Sequence, residues 1–253
     1  MDADLNVVAQ MCAVTISREY GSGGGEIAHR LADRIGWQLV DHEIVVHIAR
    51  ELNISEEEAE AHDEYVESIT SRILTSMQGI YPAMFTTAPI PPMTTDPESY
   101  HEALSRVVEA AVAAGHVVIV GRGSQVLLAK RRDVLHVRVV ASLNKRIAYV
   151  MQREGLDQDS ARSRIHLKDQ DRIRYLQTQY HLQPDDSHLY DLIVNTSVLG
   201  LENAIDLICL ALQQKAKLLS TPSGELGPAA GLARYPGLPG DIRPPESMTE
   251  ASS

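Results

Sequence analysis

Four glycines fall within five residues of the stretch Ile16-Ser17-Arg18-Glu19-Tyr20-Gly21-Ser22-Gly23-Gly24-Gly25-Glu26. Apolar residues (Met11, Cys12, Ala13, Val14) precede it, and a helical pattern of Ile27, Ala28, Leu31, Ala32 and Ile35 follows. A strand, a glycine-rich turn and a helix in that order form a phosphate cradle. Backbone N–H groups approach an anion closely there, and the helix N-terminus adds partial positive charge. The plainer reading is a tight turn that lets strand and helix pack closely. The turn lacks two parts of a complete Walker A loop: Gly24 stands at the lysine position and Glu26 at the Ser/Thr position.

Five short apolar runs read as buried strands: 13–17, 38–41, 117–121, 135–140 and 192–196. Helical patterns lie between them at 26–35, 99–114, 143–153 (with Ser142 as N-cap) and 201–218. The alternation implies an α/β fold with a parallel sheet covered on both faces. Two regions break this rhythm. The stretch 44–77 reads as acidic helices, and 81–97 as an exposed loop in which Pro89, Pro91 and Pro92 forbid regular helix. Beyond Ser220 the composition turns to Gly, Pro and Ser, which reads as a disordered tail.

The formal charge of −11 argues against a general nucleic-acid binder, though a local basic cleft remains compatible with it. Cys12 and Cys209 are isolated in apolar runs and read as reduced core residues, not a disulfide or metal framework. With no leader and no apolar stretch of membrane length, a cytoplasmic protein without a membrane partner is expected.

Several polar residues sit where ligands bind in such sheets, beyond the carboxyl ends of the strands. Arg18 is the cation nearest the turn and a candidate to replace the missing lysine; an exposed pair with Glu19 or Glu26 is the alternative. Glu26 reads either as a Mg²⁺ ligand or as a helix N-terminal acid. Arg122, in Gly121-Arg122-Gly123-Ser124, is placed to clamp an acceptor phosphate with its planar fork, or to form a structural ion pair. Asp41 ends the second strand, as a cleft acid or a helix N-cap. Cations concentrate from Arg153 through Arg162, Arg164, Lys168 and Arg172 to Arg174. Lys168 and Arg172, four apart, share a helical face with Asp169 and Asp171 nearby. Such a segment is a flap that closes over phosphates or a solvated helix laced with ion pairs.

These residues resemble the cytidylate kinase-like proteins, a branch of the P-loop nucleoside monophosphate kinases. The resemblance is carried by Ile16 to Gly24, by Val120-Gly121-Arg122-Gly123, by Lys168-Asp169 with Arg172, and by Tyr190-Asp191-Leu192-Ile193-Val194-Asn195-Thr196. It implies a three-layer α/β/α P-loop kinase fold with a five-stranded parallel sheet of order 2-3-1-4-5, a helical insert and a lid. The implied division is an extension at 1–10, the kinase-like domain at 11–219 with its insert at 42–100 and lid at 154–188, and the tail at 220–253. ATP and Mg²⁺ are the implied cofactors. By the resemblance Gly21, Ser22, Gly23, Gly24 and Gly25 hold ATP, Lys168, Asp169 and Arg172 belong to the lid, and Arg122 and Asp41 contact the acceptor. The residue reading adds Glu26 toward ATP and the metal, Arg18 beside Lys168, Asp169 and Arg172 in transfer, and Arg153 toward the acceptor.

The implied activity is transfer of the ATP γ-phosphoryl group to a small acceptor, CMP or dCMP foremost. The chain departs from cytidylate kinases at Gly123, where they carry a cytosine-recognising aspartate, and at His47, where they carry an arginine. Two other readings stand beside it: an ATP-binding regulatory protein with a degenerate kinase site, and a helical partner module built on 44–77. A homodimer is compatible with each.

Overall fold

A computed structural model of the chain describes residues 8–41, 73, 75–76 and 97–228. Five strands alternate with helices: β1 (Ala13–Arg18), α1 (Gly24–Ile35), β2 (Gln38–Val40), α2 (Pro97–Ala114), β3 (Val117–Val120), α3 (Ser124–Leu127), β4 (Val134–Val140), α4 (Leu143–Glu154), α5 (Gln158–Tyr180), β5 (Leu192–Asn195) and α6 (Leu201–Lys217). The strands pair in the order β2-β3-β1-β4-β5, every pairing parallel. This is the expected order. The central strand β1 therefore carries the glycine turn into the middle of the sheet's carboxyl edge.

Strand residues on one face (Ala13, Val117, Ile119, Val134) form a core with Val107, Val108 and Ala111 of α2. The next residues in each strand (Val14, Ile16, Val118, Leu135) are equally buried and face the other way, toward the layer of α1 and α6. Both faces are thus covered, which is why the strands read as continuous apolar runs.

Helix α1 starts at Gly24, two residues before the expected start at 26, so Gly24 and Gly25 belong to its first turn. Ser142 is the N-cap of α4 as expected, but its side chain makes no capping hydrogen bond. The cationic stretch from Arg153 to Arg174 is not one helix. Gly155 ends α4 in left-handed conformation (φ 66°), and α5 begins after Asp157, whose carboxylate accepts the Ser160 N–H at 2.8 Å. Arg153 thereby falls on α4, apart from Lys168 and Arg172 on α5. Ile147 and Val150 of α4 pack on Ala161 and Ile165 of α5, with Tyr20 of the glycine turn against them.

The ending Tyr190-Asp191-Leu192-Ile193-Val194-Asn195-Thr196 acquires a physical role. The Asp191 carboxylate accepts the His136 N–H at 2.8 Å and the Lys215 ammonium at 2.5 Å. Thr196 Oγ1 donates to the Ser22 carbonyl at 2.8 Å, fixing the glycine turn from β5. His136 is buried, with Nδ1 2.8 Å from Thr15 Oγ1, and burial pushes its pKa down, so it stays neutral at pH 7. Cys12 and Cys209 are both free and partly buried, and burial raises both thiols.

Leu218–Ser253 forms a separate unit, in which Ser223–Glu225 makes one 3₁₀ turn. The expected helices and proline-rich loop of the 42–100 insert, His47 among them, lie mostly outside the described residues. So do most of the N-terminal extension and of the tail. Among the described residues no helix is long and apolar enough to cross a membrane.

Candidate active site

A cleft of about 470 Å³ opens at the carboxyl edge of the sheet, between β1, β3 and β4 below and α5 above. Five cationic side chains line it (Arg18, Arg122, Arg138, Lys168, Arg172) against three carboxylates (Glu19, Asp169, Asp171). In a chain of net charge −11 this is a strong local reversal of sign.

Arg18 ends β1 and crosses the turn. A Cβ built on Gly24 would come within 2.6 Å of the Arg18 Cβ, and one on Gly121 would collide with Arg18 Nη1. The Arg18 side chain therefore runs past the start of α1 to the end of β3, over a surface that only glycine leaves open. Burial, together with the neighbouring Arg172 and Arg122 charges, pushes its guanidinium down to about 9, with Asp41 pulling the other way. It remains charged at neutral pH. The space a side chain at position 24 would need is already filled by Arg18.

Arg122 follows β3 in left-handed conformation (φ 60°), between Gly121 (φ 79°) and Gly123 (φ 65°). A non-glycine residue there costs on the order of 1 kcal/mol and persists where surroundings impose it. Tyr175 Oη of α5 donates to the Arg122 carbonyl at 3.5 Å. Burial lowers the Arg122 pKa.

Helix α5 is tied to the glycine turn by polar contacts. The Tyr20 N–H donates to Asp169 Oδ1 at 2.8 Å, and Arg172 Nη1 donates to the Arg18 carbonyl at 3.2 Å. The Arg172 guanidinium lies 5.4 Å from the Tyr20 ring centroid and 3.6 Å from Asp169 Oδ1. Arg146 of α4, only 11% exposed, completes the tie. It pairs with Asp169 through Nη1, donates to the Tyr20 carbonyl at 3.3 Å, and stands 3.6 Å from Glu19. Glu19 in turn accepts the Ala141 N–H at 2.9 Å.

The family model for the cytidylate kinase-like family matches residues 13–198. The chain belongs to the cytidylate kinase-like family. Over 102 residues it is 29% identical to a cytidylate kinase of Methanopyrus kandleri, a match covering 37% of this chain and 53% of that protein. Over 104 residues it is 32% identical to a uronate isomerase of Corynebacterium glutamicum, covering 41% of this chain and 20% of that protein. The chain thus spans about half and about one fifth of the length of these two curated relatives. A crystal structure of an uncharacterized protein from Eubacterium ventriosum superposes with a TM-score of 0.59 at 18% identity, over 79% of this chain and 98% of that one. It shares the fold.

Of the residues singled out from the sequence of this cytidylate kinase-like protein, Arg18, Arg122, Lys168, Asp169 and Arg172 all line the cleft. Asp41, just past β2, acts electrostatically on Arg18. Glu26 and Arg153 are not brought to the cleft; they pair with each other at 2.5 Å on the outer side of α1, where Arg30 also holds Glu26 at 2.8 Å. Gly155 ends α4 just after Arg153, so Arg153 lies on α4 while Lys168 and Arg172 lie on α5. Ser22, Gly23 and Gly24 are buried in packing, with Gly23 against Leu201 and Gly21 against Val150 and Arg146. Two cationic residues escaped the sequence reading. Arg138 lies inside an apolar strand pattern, and Arg146 sits on an ordinary amphipathic helix; neither belongs to a recognisable motif.

Proposed function

We propose that this chain is a nucleotide kinase-like phosphotransferase that moves the γ-phosphoryl group of ATP to a small acceptor, with CMP or dCMP foremost. The observation that carries this reading is the convergence of Arg18, Arg122 and Arg172 on one cleft at the switch point of a P-loop-type sheet. Burial lowers all three guanidiniums, and the Arg172 and Arg122 charges lower Arg18 further; a polyanion stabilises such a cluster.

Arg18, Lys168 and Arg172 hold the donor phosphates, aided by the first-turn N–H groups of α1 at Gly24 and Gly25, which have no partner within the helix. Gly21, Ser22 and Gly23 shape the turn beneath them. Arg122 orients the acceptor phosphate and Asp41 its sugar. The acceptor phosphate oxygen bonds the γ-phosphorus as the bridging oxygen bond to ADP breaks. An anionic acceptor needs no general base. Asp169 positions the turn through the Tyr20 N–H.

Magnesium supplies charge neutralisation at the phosphates. Glu26 is engaged by Arg30 and Arg153, and no group of three metal-binding side chains gathers among the described residues. An ion bound mainly through phosphates, water and one or two carboxylates suits such a site.

The regulatory reading, binding of ATP without transfer, draws on one observation: Arg18 bars a lysine at position 24. A transfer assay with labelled ATP across CMP, dCMP, UMP, AMP and non-nucleotide acceptors separates the two. Labelled product with CMP or dCMP is expected. MgATP binding with no turnover on any acceptor would favour regulation.

A further inference from the structure

Arg138 stands in the middle of β4, in register with Ser17 of β1, and only 8% of it is exposed. It nonetheless lines the cleft. Its Nη1 donates to Ser17 Oγ at 3.2 Å and to Tyr190 Oη at 3.4 Å, and the guanidinium lies 5.6 Å from the Tyr190 ring centroid. Tyr190 is itself held by the Pro184 carbonyl at 2.9 Å. Among the described residues no carboxylate comes within 4.0 Å of Arg138. Its neighbours differ in this respect: Arg172 has Asp169 at 3.6 Å, and Arg146 has both Asp169 and Glu19.

A buried charge is ordinarily paired, because neutral hydroxyls offset only part of its lost hydration. A guanidinium carries five N–H donors in a fixed fork, and the hydrogen bonds of Arg138 to described residues leave only from Nη1. The nearby Arg172 charge adds repulsion. Across β1 from this point, at the end of β3, stands Arg122.

We infer that Arg138, with Ser17 and Tyr190, forms an anion subsite that takes a carboxylate or phosphate group of the acceptor, distinct from the group held by Arg122. The inference rests on the kinase reading only for the word acceptor. It narrows the substrate class to small molecules with an acidic group on the β4 side of the cleft. A nucleoside monophosphate fills one of the two positions; an acceptor with a second acidic group fills both.

Crystals of the full chain soaked in selenate locate bound anions by anomalous scattering. Calorimetry with inorganic phosphate and, separately, sodium acetate reads affinity in solution. Wild type is expected to show a selenium peak within hydrogen-bond distance of the Arg138 guanidinium. R138M is expected to lose that peak, keep any peak at Arg122, and bind phosphate about tenfold more weakly, with R138K recovering most of the loss. Acetate binding that depends on Arg138 in the same way assigns the group as a carboxylate; dependence for phosphate alone assigns a phosphate. Equal affinity of R138M and wild type for both probes overturns the inference. So does a selenium peak without measurable affinity in solution, which marks an adventitious ion only. Should R138M not fold, the wild-type peak and the R138K affinities decide. A chain that keeps the Arg138 peak but neither binds MgATP nor transfers phosphate would end the kinase reading and leave the subsite standing.

Discussion

The glycine turn and the arginine row beside it both answer to the description of a phosphate site, yet they are built differently. In the turn, the protein meets its own polar groups: the Tyr20 N–H by Asp169, the Ser22 carbonyl by Thr196, Glu19 by Ala141 and Arg146. Its glycines are filled against by Val150, Leu201 and Arg18. In the row, Arg18, Arg122 and Arg172 are drawn down in pKa by burial, and Arg138 is buried with its hydrogen bonds to described residues made to hydroxyls alone. The turn is a scaffold that brings guanidiniums to the strand ends. Under the function proposed above, the charge that a lysine supplies in a complete Walker A loop enters from Arg18, the residue that ends β1.

That contrast is broken most sharply at Arg18. Arg18→Met is expected to weaken MgATP binding about 100-fold, since truncating a desolvated charge contact costs roughly 2–5 kcal/mol. Calorimetry at fixed salt checks it, and a loss under twofold would return the work to the turn's amides. Next is Gly24→Ala, which forces Cβ onto the Arg18 Cβ. It is expected to cost about 1–3 kcal/mol in urea unfolding, as overpacking does. No loss there would mean that the turn has room, and that the missing lysine needs another explanation. A smaller effect of opposite sign is expected for Arg122→Gly. Relief of the left-handed backbone should raise stability by about 1 kcal/mol while acceptor affinity falls. A variant that loses stability would mean that Arg122 is structural. Smallest is Arg153→Ala, which removes an exposed pair with Glu26 and a contact over the Tyr149 ring at 5.9 Å; transfer rates and unfolding midpoint should stay nearly unchanged. A large loss in rate would place Arg153 at the acceptor after all.

Much of this was legible in the sequence. The apolar strands, the strand–turn–helix junction and the cleft cations Arg18, Arg122, Lys168 and Arg172 could be read because period and position carry them. Arg138 could not, because a buried arginine within Val-Leu-His-Val-Arg-Val-Val looks like the solvent side of a strand. Arg146 is one more helical arginine until α5 folds back on it. Glu26 and Arg153 pair with each other, a contact that no local spacing announces, and Gly155 ends the helix that carries Arg153 where charge spacing alone would continue it. Tertiary contact, not local pattern, decides which of many surface charges meets another.

The claim on which the rest depends is that guanidiniums, not a lysine, grip the phosphates. A crystal structure of the full chain with Mg²⁺ and a non-hydrolysable ATP analogue tests it directly. The account predicts phosphate oxygens within hydrogen-bond distance of Arg18 and Arg172, above the start of α1. A triphosphate seated away from both arginines, or a cleft that stays empty at saturating nucleotide, would contradict it.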